Sequence, residues 1–152
     1  MFRDARQFNQ DIGAWDVRNV RTGTSCFYMA HSFNQNLSRW QLPLVTDFDF
    51  MFYDAVHFNG DIERWDVSKV TSMKFMFQNA RRFNADISRW DVSKVTTMQA
   101  MFAGALRFNQ DLSRWDVRAA RSHTRGLRLD AHTTSARALN HARMGTNGPC
   151  LP

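Results

Sequence analysis

Two columns of charge stand out among the residues that could do chemistry. Arg39, Arg64, Arg89 and Arg114 recur at one spacing, and Asp16, Asp66, Asp91 and Asp116 recur beside them. Each Arg precedes a Trp and each Asp follows one, so the two charges share the outward side of the segment that carries the Trp. Such a stripe can bind a ligand of complementary charge, and it can equally neutralise itself as a solvated face. A Trp column invites a second chemistry, aromatic stacking on sugars or bases. Its flanking Ile, Leu and Val favour burial in a core instead.

The remaining reactive types converge less. Asp11, Asp61, Asp86 and Asp111 offer oxygen ligands in turns, but no dense acidic loop of the calcium type accompanies them, and turn bonding accounts for them. His31 and His57 fall in different columns, and His123, His132 and His141 lie in a segment with nothing to bring them together, so no zinc site is expected. Cys26 reads as a small core hydrophobe and Cys150 as a free thiol, too few for a disulfide framework. No phosphate loop, nucleophile elbow, paired catalytic carboxylates or HExxH motif occurs. The expectation is therefore no catalytic residues, no metal, no cofactor and no enzyme.

What positions these columns is an internal repeat. Units of 25 residues begin at Met1, Cys26, Met51, Met76 and Met101 without insertions. Phe, Ala, Phe, Asn and Trp columns are identical in all five, as in Phe77, Ala80, Phe83, Asn84 and Trp90. A fixed period implies one identical step per unit, with each unit packing on its neighbours. Thr97, Met98, Met101, Phe102, Ala105 and Phe108 follow the spacing of one helix face. Thr97, Ser72 and Asp47 sit where an N-cap belongs, and the Asn column where a C-cap belongs. Leu112–Val117 alternates like a strand, with Trp115 and Val117 inward and Arg114 and Asp116 outward. The expected fold is an α/β repeat solenoid, leucine-rich-repeat-like, with a short helix and a short strand per coil and the strands in a parallel sheet. Its coils span 1–25, 26–50, 51–75, 76–100 and 101–117.

Beyond Val117 the pattern stops. Residues 118–152 lack Phe, Trp and Tyr and carry a net charge of +5, against +1 for residues 1–117. That composition predicts a basic tail, disordered over most of its length, with a weak helix over Ser135–Arg143. The overall charge of +6 thus comes mainly from the tail, which disfavours a nucleic-acid function for the repeat. No apolar run reaches the roughly 20 residues of a membrane span, and no signal peptide is visible.

The motif MFQNARRFNADISRWDVSKVTTM, residues 76–98, resembles the repeat of BspA-like bacterial surface proteins, a mycoplasma-type lipoprotein repeat of unknown function. The resemblance covers residues 1–117. It implies a leucine-rich-repeat-like fold, display at the cell surface, and adhesion or other protein binding without catalysis. Unit 2 departs from it with Cys26 for Met and with Gln41-Leu-Pro, and unit 1 carries Gly23 in place of a Met. From these readings the expected function is a non-enzymatic, adhesin-like module that binds a protein or glycan through the Arg and Asp columns. The alternative is a structural repeat that self-associates end to end, or a fragment of a longer array. A second surface, the column Arg3, Tyr28, Tyr53, Gln78 and Ala103, varies most between units.

Overall fold

The structure is a computed structural model that describes residues 1–122, with the backbone alone for Arg121 and Ser122. Four 25-residue units and a shorter fifth, from Met101, stack in register and are built almost entirely from turns. Inward apolar residues sit three apart and close each turn: Ala80 N–H donates to Phe77 O at 3.1 Å, Phe83 N–H to Ala80 O at 3.0 Å, Trp90 N–H to Ile87 O at 3.1 Å, and Val95 N–H to Val92 O at 2.9 Å.

The expected α/β solenoid with a parallel sheet is not the fold. Among the described residues no run of strand and no sheet forms; isolated parallel bridges join Asp47 to Ser72 and Ser72 to Thr97. The helix expected over Thr97–Phe108 is absent too, and the three residues read as its N-caps are the bridging residues themselves. One short helix appears among the described residues, α1, at Arg118–Ser122. The rest of the expected tail, including the helix at Ser135–Arg143, lies outside the described residues.

The physical reason is a left-handed residue at two corners of each of the first four units and at one described corner of the fifth. Asp4, Met29, Asp54 and Asn79 have φ of 55–60°, and Gly104 occupies the same column at 74°. Ser25, Phe50, Phe75 and Ala100 form the second such column, at 51–58°. A left-handed L-residue costs about 1–2 kcal/mol and cannot continue a right-handed helix. It also turns its own N–H out of the unit. Met29 N–H donates to Tyr53 O at 2.8 Å, Asp54 N–H to Gln78 O at 2.7 Å, and Phe50 N–H to Lys74 O at 2.9 Å. Seven of the nine corners, all but Ala100 and Gly104, donate to the next unit in this way, which offsets the strain. A period-three apolar pattern arises from consecutive turns as readily as from a helix face.

The core is a set of ladders along the stack. Phe27, Phe52, Phe77 and Phe102 stack at centroid spacings of 5.3, 5.6 and 5.9 Å. Within a unit the two Phe columns stack closer still, 3.8 Å for Phe52 with Phe58. Trp40, Trp65 and Trp90 lie near-parallel at 6.2 and 6.4 Å. Each buried indole donates Nε1–H to a carbonyl 28 residues earlier, as Trp65 does to Leu37 O at 2.9 Å. The Asn column is not a helix cap. Asn34 Oδ1 accepts from Asn59 N–H at 2.7 Å and Asn59 Oδ1 from Asn84 N–H at 2.7 Å, a side-chain rail that ties unit to unit.

Candidate functional site

The turn that ends on each Trp sets the outward columns. Burial of Trp40, Trp65, Trp90 and Trp115 leaves the preceding Arg39, Arg64, Arg89 and Arg114 exposed, one per unit. Arg89 lies 3.7 Å from Glu63 Oε1, a loose and exposed pair. Among the described residues Arg39, Arg64 and Arg114 form no ion pair.

The Asp column is used differently. The Oδ1 atoms of Asp16, Asp66, Asp91 and Asp116 accept the backbone N–H two residues on, at 3.1, 3.0, 3.1 and 3.1 Å, and so close a turn. Asp16 and Asp116 also pair side chain to side chain with Arg18 and Arg118. Arg18 in this way holds the Asp16 carboxyl down at about 2, first through its guanidinium hydrogen bonds and then through its backbone N–H. Arg118 does the same for Asp116, also to about 2. Asp66 and Asp91 are lowered by hydrogen bonds from Ser68 and Ser93, side chain first and then backbone. The two candidate columns thus run side by side without pairing with each other. Arg18 and Arg118 are partners that column reasoning overlooked, although Asp-x-Arg is legible in both places.

Asp61, Asp86 and Asp111 close turns in the same way, accepting from the N–H of Glu63, Ser88 and Ser113 at 3.0, 2.9 and 2.9 Å. His31 Nε2 meets Asp54 Oδ2 at 3.1 Å, and His57 Nδ1 meets His31 O at 2.8 Å. Cys26 is partly buried, and burial pushes its thiol up. Among the described residues no helix is long and apolar enough to cross a membrane.

The variable column forms a second surface. Tyr28 and Tyr53 stack at 4.8 Å, Phe50 and Phe75 at 4.8 Å, and the Arg3 guanidinium lies 4.7 Å over Tyr28. All four rings are half-buried, and their faces are turned to one another along the stack.

Neither a curated protein nor a solved structure matches the chain. A family model does, over residues 1–60 and 39–137, and these two stretches take in every repeat unit. With its five in-register units, the chain belongs to the family described as Mycoplasma protein of unknown function, DUF285.

Proposed function

We propose that the protein is a non-enzymatic repeat module that binds a protein or glycan through its outward columns. The observation that carries this reading is the row Arg39, Arg64, Arg89 and Arg114, exposed in every unit that has one. Three of the four form no ion pair among the described residues. Unpaired guanidiniums at a fixed step suit carboxylates or sulfates presented at intervals, whether on an acidic protein face or on an acidic glycan. Asp16, Asp66, Asp91 and Asp116 flank the row and admit cationic groups of a protein partner. The resemblance of residues 76–98 to BspA-like surface repeats supports adhesion at a cell surface.

The test is a binding screen of the full chain against extracellular-matrix proteins and glycans, run beside Arg39/Arg64/Arg89/Arg114→Ala. A ligand bound by the parent and lost in the variant is the expected result. Undiminished binding by a folded variant rejects the site.

A further inference from the structure

A different edge of the stack carries a charge cluster that the reading above does not use. Along this edge each unit bonds the one before it. Arg82 N–H donates to Val56 O at 3.2 Å, and Arg107 N–H donates to Arg81 O at 3.2 Å. Arg81, Arg82 and Arg107 are thereby brought together on adjacent rungs, and all three are exposed. None forms an ion pair among the described residues. The composition of the edge changes along the stack. In units 1 and 3 the neighbouring left-handed corner is acidic, Asp4 and Asp54, and Asp54 meets His31. In units 4 and 5 the same corner is Asn79 and Gly104, so the acid is missing where the arginines gather.

Leu106 stands within this cluster. It occupies the column of Arg81, precedes Arg107, and is 78% exposed. An isolated exposed Leu is ordinary. A Leu next to Arg107, in the column of Arg81 and on the rung that bonds Arg81, has the two parts of an interfacial anchor: an apolar side chain to bury among headgroups, and cations to hold phosphates. No Phe, Trp or Tyr lies among these residues to stack on bases, which argues against a nucleic acid.

We infer that Arg81, Arg82, Leu106 and Arg107 form a docking patch for an anionic bilayer surface. The cations engage lipid phosphates while Leu106 enters the headgroup layer. These residues are separate from the Arg39–Arg114 row, so either proposal can fail alone.

The experiment is sedimentation of the full chain with vesicles of phosphatidylcholine alone, or of phosphatidylcholine and phosphatidylglycerol in equal parts. The protein is expected to sediment with the anionic vesicles and not the neutral ones. It is released at about 1 M salt, where the screening length is about 3 Å. Arg81→Glu/Arg82→Glu/Arg107→Glu lowers partitioning on the order of 100-fold. Leu106→Ser lowers it about 10-fold. The charge-matched reversal Arg21→Glu/Lys69→Glu/Lys94→Glu, on other turns, keeps most of the binding. Thermal melting shows that each variant is folded, and Gln replaces Glu where a reversal is not. Three outcomes overturn the proposal: no binding by the parent, equal binding by the triple arginine variant, or binding lost with the arginines but unchanged by Leu106→Ser. The last reassigns the patch to a soluble polyanion.

Discussion

Unit 1 and the inner units share their identical columns but not the fate of those residues. Trp15 is 46% exposed, whereas Trp65 is 3% exposed. Met1 is exposed, while Met76 in the same column is fully buried. Unit 5, at the other side of the stack, behaves like an inner unit: Phe102 and Trp115 stay buried. The asymmetry follows from the direction in which the side chains reach. Each buried indole donates to a carbonyl 28 residues earlier, so it is covered by the unit before it. Among the described residues Trp15 makes no such donation, and no described unit covers it. Burial here is thus a property of the contact between units, and that contact has a polarity.

The largest test of the comparison is at the Trp column. Trp65→Ala removes a buried ring and leaves the space beside Phe48 and Phe52 empty, at a cost of about 3–5 kcal/mol. Trp15→Ala removes a half-exposed ring that lacks the indole hydrogen bond, and its effect is well below half of that. Urea unfolding of the two variants decides the matter, and equal shifts in midpoint break the polarity argument.

Gly60→Ala comes next. A Cβ at Gly60 falls 2.1 Å from Gln35 O, a backbone atom of the preceding unit that cannot rotate away. The expected loss is about 1–3 kcal/mol. Ala85 holds the same column one unit on with its Cβ accommodated, so Ala85→Gly costs less, about 1 kcal/mol or below. Reversal of that order in thermal melts shows that unit 3 accommodates a Cβ at this column as unit 4 does, and breaks the contrast between them.

Smaller again is the Asn rail. Asn59→Ala deprives the Asn84 N–H of its acceptor and costs about 1 kcal/mol. In Asn109 the backbone donates to Asn84 Oδ1, but among the described residues its own side chain accepts from no following unit. Asn109→Ala is therefore close to neutral. A difference in denaturant midpoint between the two checks this directly.

The columns themselves were legible because identity at a 25-residue step requires no knowledge of local conformation. Burial of Trp40, Trp65, Trp90 and Trp115 followed from the apolar neighbours, and exposure of the preceding arginines followed with it. Helix and strand did not survive, since spacing alone cannot separate a helix face from a chain of turns. The distinguishing signal lies at the left-handed corners. One column announces it in Asp4, Asp54, Asn79 and Gly104, residue types that tolerate that conformation, but Met29 interrupts it. The other column, with Phe50, Phe75 and Ala100, gives no such sign in its residue types, and at Phe50 and Phe75 the conformation goes with the N–H bond to the next unit. For the same reason the partner of Asp16 was missed. A search for pairing between columns looks across the face, whereas the turn brings Arg18 back onto Asp16 from two residues away.

The smallest expected effect lies in those local pairs, and it carries a definite sign. Asp16 and Asp116 are held at about 2 in the folded chain, below the roughly 3.9 of an unperturbed aspartate. A carboxyl depressed by folding contributes stability that is full above its unfolded value and is lost as pH falls through its folded value. The contribution of both is therefore present at neutral pH, starts to fall near pH 4, and is gone below about pH 2. Asp66 and Asp91 shift in the same direction and add to the slope. Asp16→Asn keeps an oxygen to close the turn onto Arg18 N–H but cannot titrate. It should flatten the acid limb of a melting-temperature profile while leaving the stacked inner units unaffected. Asp91→Asn likewise keeps an oxygen for the Ser93 N–H and removes a titrating group from an inner unit, but one held down by Ser93 and not by a guanidinium, so it flattens the limb less. An acid limb that flattens equally in the two variants would mean that the Arg18 guanidinium adds nothing to the depression of Asp16 beyond what its turn supplies.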